Sequence, residues 1–319
     1  MAFAMRLALG GDTMLGRLVA ERLRDAGPES LFAPEIVEAA HDADLMIVNL
    51  ECCISEGGAP APGRVLHFRA PPVAAEALAH LGVDCVTLAN NHALDYGPDA
   101  LADTLEHLEA AGVRWVGAGA NEAEARAPVT LEANGERLRL VAFSDHPAEY
   151  AARSERPGIA FADTSRRKLP DWLLEGAQGD GGQPVLVCAH WGPNMSPRPV
   201  RKVRRASRSL ERAGATLIAG HSAHVFHGMG GRILYDLGDL IDDYAPDPIL
   251  CNDLGLLWFV ELRGNELTRV EALPLKLDRC CTRLAAGSER DWIEQRFMEA
   301  CADFGTWVEA RGHRLVIEP

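Results

Sequence analysis

Asp12, Glu51, Asn91, His190, His221 and His224 carry atoms that can hold a metal ion or move a proton, and each follows a short apolar run. Asp12 closes Gly10-Gly11-Asp12 after Arg6–Gly10, and Glu51 closes Asn49-Leu50-Glu51 after Leu45–Val48. Asn90-Asn91-His92 follows Asp84–Leu88, His190-Trp191-Gly192 follows Val185–Ala189, and Gly220-His221-Ser222-Ala223-His224 follows Thr216–Ala219. Short runs of β-formers mark buried strands, and the carboxyl ends of strands in an open α/β sheet line a common crevice. Five strand ends are therefore expected to converge on one site. Two carboxylates, a carboxamide and up to four imidazoles suit Mn²⁺, Zn²⁺ or Fe²⁺ and need no thiolate. Taken singly, an Asp after a strand is a turn or helix cap and a His is a satisfied polar residue; the coincidence of five is what points to chemistry.

Further strand-like runs at Leu138–Phe143 and Ile233–Leu237 alternate with helical patterns at Pro71–Leu81, Pro98–Ala111 and Pro199–Ala213, each opening on proline. That alternation predicts an α/β fold. Leu256–Leu262 and Glu266–Leu275 read as a hairpin around Arg263-Gly264-Asn265. Ser288–Arg311 reads as one helix with Ile293, Phe297, Ala300, Phe304 and Trp307 on a face, Ser288 as N-cap and Gly312 as its stop.

The 319 residues include 32 Lys+Arg and 46 Asp+Glu, a formal charge of −14, with 47% hydrophobic and 24% charged residues. This is a globular composition, and its acidity argues against a nucleic-acid binder, which needs clustered excess cations. No run of about 18 apolar residues is available to span a membrane. Met1–Gly11 holds one cation, Arg6, and lacks the form of a secretory signal, so a cytoplasmic location is expected. The eight cysteines include no C-x-x-C pair and read as reduced, buried hydrophobes.

Gly11-Asp12-Thr13-Met14-Leu15, Asn49-Leu50-Glu51, Asn90-Asn91-His92-Ala93-Leu94-Asp95-Tyr96-Gly97, His190-Trp191-Gly192, Gly220-His221-Ser222-Ala223-His224 and Tyr235-Asp236-Leu237-Gly238-Asp239 together resemble the ordered motifs of the CapA family. That family belongs to the calcineurin-like metallophosphoesterase superfamily. The resemblance implies a four-layer α/β/β/α sandwich in a single domain, 1–319, with 256–319 completing the second sheet and adding a C-terminal helix. It implies that Asp12, Glu51 and His224 hold one divalent ion and Glu51, Asn91, His190 and His221 a second, Glu51 bridging. His92 would be general acid or electrostatic stabiliser, with Asp95 orienting it. The activity implied is hydrolysis of a phosphoester or peptide-like biosynthetic substrate. Superfamily members usually carry His two positions after the first Asp, where Met14 stands here; Asn194 and Asp239 stand where the family commonly has Glu and Asn.

The family also includes metal- and cofactor-independent peptide epimerases, which would make Asp12 and His224 an acid/base pair working on opposite faces of a Cα. A non-catalytic binding or assembly factor is the third reading. Seven cations and one acid crowd Arg198–Arg212; this is either a solvated helix face or, through Arg198 and Arg201, a dock for an anionic substrate. Asp236, Asp239, Asp242, Asp243, Asp247 and Asp253 form an acidic counterpart, whose Asp242 and Asp243 could cap the site, bind a cation or pair with the basic helix. His227 and Tyr235 are expected near the crevice, where they could contact substrate, and His146 reads as a structural or surface residue.

Overall fold

The computed structural model describes residues 4–319; Met1–Phe3, where the expected leaderless N-terminus begins, lie outside the described residues. The first sheet starts with four parallel strands, β1 (Ala4–Thr13), β2 (Leu45–Leu50), β3 (Cys85–Thr87) and β4 (Arg114–Val116), side by side in that order. The chain then builds a second sheet from β5 (Val129–Ala133), β6 (Glu136–Ser144), β7 (Val185–His190), β8 (Leu217–His221), β9 (Met229–Gly230) and β10 (Ile233–Leu234). Here β6, β7, β8 and β10 are parallel. It returns to the first sheet with β11 (Asp239–Ile241), parallel to the end of β1, and β12 (Leu254–Arg263), antiparallel to β1. From there β13 (Glu266–Asp278), β14 (Cys281–Leu284), β15 (Glu309–Arg311) and β16 (Arg314–Ile317) continue it.

The layering follows from strand alternation. Leu7 and Leu9 of β1 pack with Leu140, Leu186 and Leu217 of the second sheet, whereas Ala8 between them joins a core with α1 (Arg17–Ala26), α2 (Pro34–His41), α3 (Val73–Leu81) and α4 (Gly97–Ala110). On β6, Leu140 and Ala142 face inward, while Val141 and Phe143 face a helical layer of α6 (Asp171–Gln178) and α7 (Arg201–Ala213), which follow the short α5 (Glu122–Arg126). Each strand buries both faces, so its sequence is continuously apolar. The result is the expected α/β/β/α sandwich.

The C-terminal third departs from expectation. Residues 254–317 extend the first sheet and not the second, because β12 pairs along β1 from Ala4 to Leu9. The last helix, α8 (Ser288–Ala302), stops well before Arg311, and Ser288 is its first helical residue, with Gly287 at the N-cap. The amides of Phe304 and Thr306 turn back onto the Cys301 carbonyl, and Gly305 takes the left-handed conformation (φ 75°) that ends the helix. Trp307 is 83% exposed, and Gly312 turns the hairpin between β15 and β16. Within α8, Ile293 and Phe297 are buried as expected, against Trp258 in the layer between the sheets.

Candidate metal centre

The parallel strands of both sheets bring their carboxyl ends to one edge. The approach there is close: a Cβ on Gly11 would fall 1.9 Å from the Gly238 carbonyl oxygen, which accepts the Asp12 amide at 2.9 Å. Only glycine at position 11 lets the Gly238–Asp239 segment pair with β1 and set Asp239 opposite Asp12 in register. His190 and His221 are register partners at the ends of β7 and β8. The loop that follows holds Ser222 and His224 at positive φ, 103° and 57°. Such strained conformations persist only where surroundings enforce them, and here the Asp12 carboxylate accepts the Ser222 amide (3.1 Å) while Asp236 accepts the Ala223 amide (2.9 Å).

Asp12, Glu51, His190, His221 and His224 meet as the sequence predicts. The Asp12 Oδ1 faces His221 Nδ1 at 3.1 Å and accepts from Asn49 Nδ2 at 2.8 Å, and its Oδ2 lies 3.4 Å from His224 Nδ1. Glu51 sits between two imidazoles, with Oε1 3.4 Å from His190 Nε2 and Oε2 3.9 Å from His224 Nδ1. Asn91 lies in the loop after β3 with its carboxamide oxygen buried and unpartnered. Its neighbour Asn90 is a brace, donating to Asn49 and the Leu50 carbonyl and accepting the His92 amide.

Charge is out of balance in this core. Asp12, Glu51, Asp236, Asp239 and Asp242 are all buried, and among the described residues no Lys or Arg forms an ion pair with any of them. Burial pushes Glu51 well above the usual carboxylate range, opposed by His224 and reinforced by Asp12 and Asp239. Burial, then neighbouring carboxylates, do the same to Asp236, Asp239 and Asp242. Burial also pushes Asp12 up, but the hydrogen bond to His221 and the fields of His221, His224 and His190 outweigh it and hold Asp12 below its usual value. For His224, burial is outweighed by Glu51 and Asp12 and the imidazole is raised; His190 is driven well down by burial and then by His146. Buried charge without partners is costly unless a cation supplies the balance. Divalent ions fit this donor set, and Glu51 Oε2, Asn91 Oδ1 and Asp239 Oδ2 are buried oxygens with no partner.

Beside the cluster, His92 stacks on Phe68 (centroids 4.0 Å apart), and its Nδ1 lies 2.5 Å from Asp95 Oδ2. Asp95 is itself held by the Phe68 amide, Tyr150 Oη and Arg64. Tyr244, which the sequence did not single out, packs edge-on against His224 at 5.2 Å.

Several predicted residues stand elsewhere. Tyr235 is buried in the outer core of the second sheet, stacked on Phe304 at 4.5 Å, so it packs the sheet and does not line the crevice. His227 is buried with Nε2 2.7 Å from the Ser196 carbonyl, and burial lowers it to about 4. Asn194 is exposed, and Arg198 pairs with Asp303 at 3.3 Å. Met14 is buried in the helical layer of the first sheet, its Sδ accepting the Gly16 amide. The acidic segment does not pair with the basic helix: Asp243 pairs with Arg17 and Asp253 with Lys276. All eight cysteines are free, and burial pushes Cys53 up to about 12.

His146, read as structural, belongs at the site. Its ring centroid lies 5.1 Å from that of His190, and it lines a groove of about 940 Å³ with Gly192, Arg198, Arg201 and Lys202. Asp145 fixes this wall: its oxygens contact His146 Nδ1 (2.6 Å), Lys202 Nζ (2.8 Å), Thr164 Oγ1 (2.5 Å) and the Gly192 amide (3.3 Å). Burial opposes ionisation, but those hydrogen bonds hold the carboxyl down at about 2. Asp145→Ala is therefore expected to cost about 1–3 kcal/mol in urea unfolding, since Thr164 Oγ1 and the Gly192 amide lose their acceptor while the partly exposed Lys202 and His146 return to water. A depressed carboxyl contributes stability above its unfolded value near 3.8 and loses it as pH falls toward 2, so wild type and variant should converge across that window.

Residues 6–244 match the family described as Bacterial capsule synthesis protein PGA_cap. The chain belongs to this family. A probable polyglutamine synthesis accessory protein of Mycobacterium tuberculosis is 29% identical over 290 residues, 86% of this chain and 76% of the relative. The capsule biosynthesis protein CapA of Bacillus anthracis is 26% identical over 287 residues, 86% and 67% of the two chains. Among solved structures, a phosphatase from Mycoplasma pneumoniae superposes with a TM-score of 0.52 at 13% identity, covering 88% of this chain and 97% of its own. The PGA_cap chain thus has the calcineurin-like phosphoesterase fold. No helix among its described residues is long and apolar enough to cross a membrane.

Proposed function

We propose that this PGA_cap protein is a metal-dependent hydrolase that cleaves a phosphoester in an anionic biosynthetic substrate, either a small molecule or a peptide-like chain. The observation that carries this is Glu51: a buried carboxylate with no Lys or Arg partner among the described residues, presenting one oxygen to His190 and the other to His224. Asp12, Glu51 and His224 would hold one divalent ion, and Glu51, Asn91, His190 and His221 a second. When bound, such a pair supplies Lewis-acid polarisation of a phosphoryl oxygen and an activated water.

The protein's own residues supply the rest. Asp95 fixes the Nδ1 side of His92 and favours its protonated form against burial, so that the imidazolium would give its Nε2 proton to the departing oxygen. Arg201 and Lys202, at the start of α7, line the groove beside His190 and suit the negative charge of the substrate. Relatives named for capsule biosynthesis and polyglutamine synthesis support a biosynthetic polymer or its precursor as the substrate.

The epimerase alternative gains nothing from the geometry. Asp12 Oδ2 and His224 Nδ1 are 3.4 Å apart, which leaves no space for a Cα between them. The hydrolase reading is tested by Mn²⁺-supported hydrolysis of bis(p-nitrophenyl) phosphate and p-nitrophenyl phosphate. Turnover that disappears with chelator and returns with Mn²⁺ is expected. A folded, metal-loaded protein inert on both esters would favour the binding or assembly role, and deuterium uptake at a peptide Cα in D₂O would reinstate the epimerase.

A further inference from the structure

Position 14, two residues after Asp12, offers no imidazole to the first ion, because Met14 is turned into the helical layer. A carboxylate stands beside Asp12 on the neighbouring strand. Asp239 stands in parallel register with Asp12, its Oδ1 is 2.8 Å from His224 Nδ1, and its Oδ2 is buried without a partner. Asp12, His224 and Asp239 each bring a donor atom within 4.8 Å of the other two, a spacing that one ion could span.

We propose that Asp239 is a direct ligand of the ion held by Asp12, Glu51 and His224, so that this position is a carboxylate-rich site whose preference for Zn²⁺ over Mn²⁺ is weaker than that of an imidazole-rich one. The inference rests on the metal-centre reading above. Three carboxylates and one imidazole form a harder donor set than an imidazole-rich site, and hard oxygen donors favour Mn²⁺, whereas imidazole suits Zn²⁺. The simpler role for Asp239 is to orient His224 by accepting its Nδ1 proton.

Asp239→Asn separates the two roles, since its amide oxygen can still accept from His224 but the ligand charge is gone. Mn²⁺ titration of the full chain, followed by the electron paramagnetic resonance signal of free Mn²⁺, should give two bound ions in the wild type. In Asp239→Asn one site should keep its affinity and the other weaken by more than about 100-fold, beyond the loss usual for a residue that only supports a ligand. Asp239→His, which adds an imidazole, should raise the Zn²⁺/Mn²⁺ affinity ratio at that site above the wild-type ratio in competition. Two Mn²⁺ bound at wild-type affinity in Asp239→Asn, or an unchanged Mn²⁺/Zn²⁺ preference in Asp239→His, would overturn the assignment of Asp239 while leaving the metal centre intact. A wild type that binds no Mn²⁺ or Zn²⁺ would remove the metal-centre reading and Asp239's role with it.

Discussion

Glu51→Gln should lower Mn²⁺-supported hydrolysis of bis(p-nitrophenyl) phosphate by at least about 10³-fold in kcat/KM, a loss of roughly 4 kcal/mol of transition-state stabilisation. Glutamine keeps the shape of the side chain but carries no charge to share between the His190 and His224 sides, where the two oxygens of Glu51 lie. The same substitution should raise the stability of the metal-free protein by about 1–2 kcal/mol, as relief of a destabilised functional site commonly does. Glu51 is fully buried and flanked by Asp12 and Asp239, whose charges oppose its own. Urea unfolding in the presence of chelator checks the stability arm. A variant that loses both activity and stability would identify Glu51 as an ordinary structural carboxylate.

His92→Ala should show a loss that depends on the leaving group. With an alkyl phosphoester, whose departing alkoxide needs a proton, kcat should fall by about 10²–10⁴-fold, the range of general acid catalysis. With a p-nitrophenyl ester, whose leaving group departs as a stable anion, the loss should be much smaller. His92 is seated for this role by Phe68 on its face and Asp95 on its Nδ1. Asp95→Asn should reproduce the selective loss at about 10–100-fold, the usual cost of a lost orienting partner. Equal losses on both esters would assign His92 to the fold and not to proton transfer.

Much of this site could be read from the chain because buried parallel strands write themselves as uninterrupted apolar runs. A polar residue directly after such a run is then almost forced to the sheet edge, which located Asp12, Glu51, His190 and His221. The same rule applied to Leu138–Phe143 reaches Asp145 and His146 at a sixth strand end. Tyr244 carried no such signal, since it reaches His224 from a segment after β11 whose path depends on β11 pairing with β1. Tyr235 misled for the converse reason. It precedes Asp236 and Gly238 in the motif, yet its side chain falls on the α7 side of the second sheet.

The C-terminal elements depart from their periodicity for a similar reason. Phe304 and Trp307 continue the spacing of Phe297 and Ala300, so periodicity alone extends the helix through them. Phe304 instead turns back to stack on Tyr235, and Trp307 remains in solvent. Long-range pairing also decided which sheet received residues 254–317: β12 could join either sheet on hydropathy, and the register along β1 chose the first.

The metal-to-protein ratio of the wild-type chain purified without chelator, measured by plasma mass spectrometry beside turnover of the same sample, tests the central claim most directly. The buried donors around Glu51 predict about two divalent transition ions per chain, with turnover lost when chelation removes them and recovered on Mn²⁺ addition. Chains with no transition metal and undiminished turnover would contradict it.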